Sequence, residues 1–321
     1  MLSDILEQKK CFKLVCGAGN EDASEVEKLV AIYSKAGCTF FDVCAKSEIV
    51  DAAKLGLARA GISQDRYLCV SIGIAGDPHT NKANINVNKC NSCTLCTKNC
   101  PHDAIIKNKI IEINQARCIG CSQCINICPN NAISVESKIV DYNDVLPLLI
   151  SKGIDCIEFH AISEDENDIW EKWNLINRLY DGMLCISVDR SILGDKKLKE
   201  LITILLSIIK PYTTIIQADG VAMRGNDDTK GTTLQAIATA QLFQNAKLPA
   251  YIMMSGGTNS ESTKLAKECG VFPNCLAVGS YARKIVKEFI YREDLFTNAD
   301  IFNEAVKRAK TLVDESLKYM G

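Results

Sequence analysis

Apolar and polar residues alternate with a period of two in eight short runs, and between the runs apolar residues return every three or four positions. The alternating runs predict strands at Phe12–Gly17, Thr39–Cys44, Tyr67–Gly73, Asp155–His160, Leu184–Arg190, Thr213–Asp219, Tyr251–Gly256 and Cys275–Ser280. The helical periodicity predicts helices at Ser24–Ala36, Ile49–Ala60, Tyr142–Lys152, Asp168–Tyr180, Asp195–Ile209, Thr232–Asn245, Ser260–Cys269 and Ala282–Phe289. Strand and helix in alternation are the signature of a parallel sheet. Eight of each, over roughly 230 residues once an interrupting segment and a charged tail are set aside, predict an α/β fold, a (β/α)8 TIM-like barrel. A doubly wound open sheet is the alternative, and a helix after every strand favours closure.

Within those strands the period of two separates two faces. Leu14, Phe41, Val43, Leu68, Val70, Ile157, Phe159, Ile186, Val188, Ile216, Leu276 and Val278 form an apolar set suited to packing under helices. The complementary set holds Lys13, Asp42, Ser71, Glu158, His160, Ser187, Asp189, Gln217 and Asp219. An unpaired charge inside a barrel costs several kcal/mol, so these residues imply either a ligand pocket or an internal ion-pair network. Lys13, Glu158, Asp189 and Asp219 are the candidate ligand-contacting or catalytic groups, with His160 beside them. The seventh strand ends in Ser255-Gly256-Gly257-Thr258-Asn259 and the eighth in Gly279-Ser280. Barrels build phosphate sites from backbone N–H groups at these loops, so Gly256, Gly257, Gly279 and Ser280 are candidates for a phosphorylated ligand or the phosphate of FMN. Tight turns that need glycine are the competing explanation.

Composition changes the picture in one respect. The 321-residue chain has 37 basic and 39 acidic residues, a balance that gives no bulk field for nucleic acid or an anionic membrane. Its N-terminus lacks the basic-then-apolar order of a secretion signal, and its longest apolar stretch, Leu201 to Ile209, is about half of a membrane span. A cytoplasmic location is expected, where disulfides do not persist. Yet there are seventeen cysteines. Cys11, Cys16, Cys38, Cys44, Cys69, Cys156, Cys185, Cys269 and Cys275 are scattered, mostly in strand-like runs, and read as small buried hydrophobes.

The other eight lie in an internal repeat. KCNSCTLCTKNCPHDAI from Lys89 returns as RCIGCSQCINICPNNAI from Arg117, 28 residues later. Each copy is C-x2-C-x2-C-x3-C-P, which resembles the bacterial two-cluster ferredoxin run. In that run the fourth cysteine of each copy ligates the other cluster. The resemblance implies two [4Fe–4S] clusters, one held by Cys90, Cys93, Cys96 and Cys128 and the other by Cys118, Cys121, Cys124 and Cys100. Zinc is the rival, but it closes with two C-x2-C pairs and leaves half of these cysteines without a role. The Ile-rich stretches Ala104 to Ile113 and Ala132 to Ile139 read as hairpins over the clusters. His102 occupies the place of Asn130 and reads as a surface residue. The expected organisation is thus a first part of the barrel at 1–80, a ferredoxin-like insert at 81–140 after the third strand, the rest of the barrel at 141–290 and a helical extension at 291–321.

FKLVCGAG near the N-terminus, GDPH at Gly76, the two ferredoxin runs, QADGVAMRGNDDTKGTT from Gln217 and LPAYIMMSGGTN from Leu248 together resemble the cyanobacterial light-dependent period family, LdpA. The likeness extends to about residue 290. It implies an iron–sulfur protein that reports cellular redox state to the circadian clock and associates with redox or signalling partners, clock components among them. It implies no catalytic activity. A redox sensor, a flavin-dependent oxidoreductase passing electrons between clusters and a barrel-bound FMN, and a plain electron carrier all remain open, and oligomeric state is not encoded.

Overall fold

The computed structural model describes residues 1–17, 19–62, 64–74, 81–137, 140–161, 163, 165–191, 193–220 and 230–320. The GDPH segment at Gly76, residues 138–139 at the end of the second Ile-rich stretch, and residues 221–229 of the polar loop after Gly220 lie outside them.

The chain opens with α1 (Leu2–Glu7), β1 (Cys11–Val15), α2 (Ala23–Lys35), β2 (Phe40–Cys44), α3 (Ser47–Ala60) and β3 (Tyr67–Gly73). A run of small elements follows: β4 (Asn81–Ile85), α4 (Leu95–Lys98), β5 (Ile105–Lys107), β6 (Ile111–Ile113), α5 (Gln123–Asn126) and β7 (Ile133–Ser137). Regular alternation then resumes with α6 (Tyr142–Ser151), β8 (Cys156–His160), α7 (Glu166–Leu179), β9 (Met183–Val188), α8 (Asp195–Leu206) and β10 (Thr214–Asp219). It ends with α9 (Lys230–Ala246), β11 (Tyr251–Ser255), α10 (Ser262–Glu268), β12 (Cys275–Val278), α11 (Ser280–Ile290) and α12 (Ala299–Leu317).

Eight parallel strands close in the order β1-β12-β11-β10-β9-β8-β3-β2. Closure brings Lys13 beside Ala277 on one side and Phe40 on the other. Phe12, Leu14, Phe41, Val43, Val70, Ile157, Phe159, Ile186 and Val278 pack outward into one core under the helices. Asp22, Asp141, Asp165 and Asn298 start α2, α6, α7 and α12 by accepting a hydrogen bond from the first-turn backbone, which satisfies donors that a helix leaves open. The bottom of the barrel is a separate apolar layer of Cys11, Phe40, Cys69, Cys156, Cys185, Ile215, Met253 and Cys275, closed from below by Leu2 and Leu6 of α1. The periodicity gives no sign of α1, because six residues make under two turns. Eight of the nine scattered cysteines are buried, and Cys269 is exposed.

The small elements fall between the third and fourth barrel strands. β5 and β6 form an antiparallel hairpin, but β7 pairs with β4, the strand that enters the segment. The second Ile-rich stretch therefore does not fold back on itself; it closes the segment by joining its end to its beginning.

Candidate functional site

The two cysteine repeats adopt the same backbone. Left-handed residues recur at the 28-residue offset, as Ser92 and Gly120, Thr94 and Ser122, and Asp103 and Asn131. Such a conformation costs a non-glycine residue about 1–2 kcal/mol, so its repetition marks loops shaped around something. Each loop lines a cavity. One is bounded by Cys90, Cys93, Cys96 and, from the other repeat, Cys128, with walls from Ile85, Ile111 and Ile133. The other is bounded by Cys118, Cys121, Cys124 and Cys100, with Ala83 and Ile105. Backbone N–H groups donate to sulfur at 3.3 Å, Ala104 to Cys100, Ala132 to Cys128 and Ala83 to Cys118.

This donor set fits a cubane better than a single metal ion. A zinc ion with Zn–S bonds of about 2.3 Å holds its sulfurs within about 4 Å of one another. Among the described residues, the group of three ligand atoms that lie mutually within 4.8 Å is Asp42, Cys69 and Glu158 in the barrel, not any trio of these cysteines. In that barrel group the negative charge is met by the Lys13 ammonium, which is bonded to Glu158 and 3.9 Å from Asp42.

His102 corrects the surface reading made for it. It is 7% exposed, lines the cavity of Cys118, and its Nε2 has no partner among the described residues. Burial, with Arg283 and Lys287 nearby, lowers its pKa to about 3, so it is neutral. Asn130, its counterpart, is exposed. The difference arises because this side of the segment lies against the barrel. Arg283 of α11 donates to the Pro101 carbonyl at 3.1 Å and to Glu25 of α2, while Asp103 pairs with Lys287 at 2.7 Å and accepts from Tyr291. Beside them Arg117 lies over the Tyr291 ring and pairs with Asp22, and the Glu21 N–H donates to the Ala116 carbonyl. Gly19 passes so near Ile119 that a Cβ would stand 2.9 Å from its Cα, so only glycine allows the approach. Lys82 joins the two bodies, donating to the carbonyls of Gly19, Gln115 and Cys118 at 2.7–2.9 Å and lying 3.2 Å from Glu21. Lys82, Glu25 and Arg283 escape the sequence reading; the one available signal is that position 82 holds lysine where the other repeat has Ile110.

Inside the barrel, above the cysteine layer, Lys13, Asp42, Ser71, Glu158, His160, Ser187, Gln217 and Asp219 are all buried. Lys13 donates to Glu158 and, at 3.4 Å, to Gln217; Ser71 donates to Asp42 at 2.5 Å. Gln217 donates to Glu158 at 2.9 Å and lies 3.3 Å from both oxygens of Asp219, which also accepts from Ser187. His160 Nε2 lies 2.9 Å from Glu158. Burial pushes the Asp42 and Asp219 carboxyls up to about 6, opposed by Lys13 at the first and Ser187 at the second. At Glu158 burial is overcome by Lys13 and His160, which hold the carboxyl well below the usual range. Asp189, buried just past the end of β9, accepts hydrogen bonds from the backbone N–H and hydroxyl of Ser191.

Gly256 and Gly257 both have positive φ, +68° and +87°. A Cβ on Gly220 would stand 2.4 Å from the Gly256 carbonyl, so these two glycines let the β10 and β11 ends touch. The Gly257 carbonyl accepts from Thr233, and Gly279 precedes Ser280, the first residue of α11.

A closed parallel barrel carrying two four-cysteine cavities, in a stretch where the profile of a 4Fe-4S dicluster domain matches residues 82–129, defines an iron–sulfur redox protein on a TIM-barrel scaffold. The profile of the Light dependent period A C-terminal domain matches residues 148–315, more than half of the chain. The chain belongs to the Light dependent period A family. Light dependent period A of Synechococcus elongatus is 28% identical over 340 residues, spanning 99% of this chain and 94% of that protein. Among solved structures, the YdjI aldolase from Escherichia coli K12 matches with a TM-score of 0.51 at 6% identity, over 100% of this chain and 97% of that one, a likeness of fold alone. A tryptophan synthase from M. tuberculosis in its aminoacrylate-bound form gives a TM-score of 0.45 at 9% identity, over 100% and 99%. No helix among the described residues is long and apolar enough to cross a membrane.

Proposed function

We propose that the chain is a redox-responsive signalling protein with two [4Fe–4S] clusters, one on Cys90, Cys93, Cys96 and Cys128 and the other on Cys118, Cys121, Cys124 and Cys100. The observation that carries this reading is that each cavity gathers three cysteines of one repeat and the fourth of the other. When bound, each cluster supplies a one-electron couple. The chain's own part is to present four thiolates in a mostly apolar recess, to donate backbone N–H groups to sulfur, and to keep water away with Ile85, Ile105, Ile111 and Ile133.

The barrel serves as the receiving body rather than as a catalyst. Its buried layer is satisfied from within, Lys13 by Glu158 and Gln217 and Asp219 by Ser187 and Gln217, which supports a structural network over a set of reacting groups. Gly256 has a structural reason in its approach to Gly220, so an FMN or phosphate cradle has no observation of its own. The relative's name, Light dependent period A, supports a signalling output to a partner protein, clock components included where a clock exists. Anaerobic isolation tests the reading. It predicts about eight irons and eight sulfides per chain and a visible absorbance that bleaches with dithionite and returns on reoxidation. Zinc without sulfide would refute it.

A further inference from the structure

The two repeats match at every cysteine and differ where they face the barrel. Lys82 and Ile110 hold equivalent positions, yet the Lys82 side chain is 4% exposed and Ile110 is 50% exposed. The Lys82 ammonium sits 2.7 Å from the carbonyl oxygen of Cys118, a wall residue of one cavity, and 2.8 Å from that of Gly19, in the loop between β1 and α2. Its counter-charge, Glu21, lies in the same loop and is itself bonded to Lys46. Among the described residues neither cavity has a charged side chain in its wall, but Lys82 reaches the backbone behind Cys118, whereas Lys89 and Lys98, the sequence neighbours of the Cys90 cavity, are exposed and screened by water.

Resting on the cluster reading above, we infer that Lys82 is the charge link through which the cluster on the barrel side acts on the barrel mouth. A one-electron carrier protein gives up one electron and that cluster gains it; no bond or proton moves. The added negative charge lies beside a buried cation, where attraction is screened far less than at the surface. Reduction therefore strengthens the hold of Lys82 on the module and biases the Gly19–Glu21 segment that it also binds. The coupling is reciprocal, so Lys82 must raise the reduction potential of that cluster and leave the other almost unchanged.

The test is a redox titration of the full chain with both clusters in place, followed by electron paramagnetic resonance, for the natural sequence, Lys82→Met, Lys82→Arg and Glu21→Gln. Hydrogen exchange of residues 19–22 is measured in the oxidised and reduced states. Lys82→Met should lower one potential, or split a common wave, with the other fixed. Lys82→Arg should stay near the natural value, and Glu21→Gln, which removes the counter-charge, should raise the same potential. Exchange across residues 19–22 should differ between the two redox states in the natural protein and not in Lys82→Met. Equal shifts of both potentials, no shift in Lys82→Met, or identical exchange in the natural protein's two states would overturn the link. Should Lys82→Met not retain its clusters, Glu21→Gln and the exchange of the natural protein decide the matter. A natural protein short of eight irons would instead overturn the cluster reading beneath it.

Discussion

Lys13 and Glu158 show what a buried pair demands of its surroundings. Both are almost wholly enclosed, and the attraction between them offsets the loss of hydration only because Asp42, Gln217 and His160 complete the set. Glu158→Gln leaves the ammonium underpaired and should cost about 3 kcal/mol in urea unfolding. Asp219 behaves in the opposite sense. Its folded pKa is about 6 against an ordinary 3.8, so its favourable contribution is complete below the unfolded value and is lost as pH rises through 6. Asp219→Asn removes that penalty, so the Tm of the variant relative to the natural protein should climb between pH 5 and pH 8, by the equivalent of about 1.4 kcal/mol, with the rise nearly complete by pH 7. A difference that ignores pH would refute the assignment. The inward polar set was legible because side chains alternate strictly along a strand. The bonding of Asp189 to Ser191 was not, since a carboxylate at a strand end can meet the backbone that follows it. Nor was the burial of His102, which depends on a distant helix.

Among the elements, most barrel strands declare themselves because outward Val, Ile, Leu and Phe alternate with inward polar or small groups over four to seven residues. α1 does not. It is too short to show a period, yet Leu6 is fully buried against the cysteine layer. Leu6→Ala should therefore cost about 2–5 kcal/mol, measured by thermal or denaturant unfolding, as a core truncation rather than an end-fraying change. The β4–β7 pairing was also hidden, because pairing partners some fifty residues apart leave no local signal. What the repeat does reveal is register: landmarks that move together by 28 residues carry the same left-handed turns with them.

At the scale of the whole molecule, the cysteine-bearing segment is tied to the barrel through Lys82, Arg117 and Arg283, reaching the loop after β1 and the first turn of α11. Sequence gives the segment's existence and its cysteine spacing, but the face on which it docks follows from long-range pairs such as Arg283 with Glu25 and Asp103 with Lys287. The arrangement puts one cavity beside the barrel and leaves Cys93 of the other exposed.

The claim on which the account rests is that each cluster draws its fourth thiolate from the opposite repeat. The most direct measurement is cysteine alkylation mapped by mass spectrometry on anaerobically isolated Cys128→Ala protein, with iron counted in parallel. The account predicts that iron falls from about eight to about four per chain, and that Cys90, Cys93 and Cys96 become reactive while Cys118, Cys121, Cys124 and Cys100 stay protected. Reactive Cys118, Cys121 and Cys124 beside a protected Cys90, Cys93 and Cys96 would contradict it.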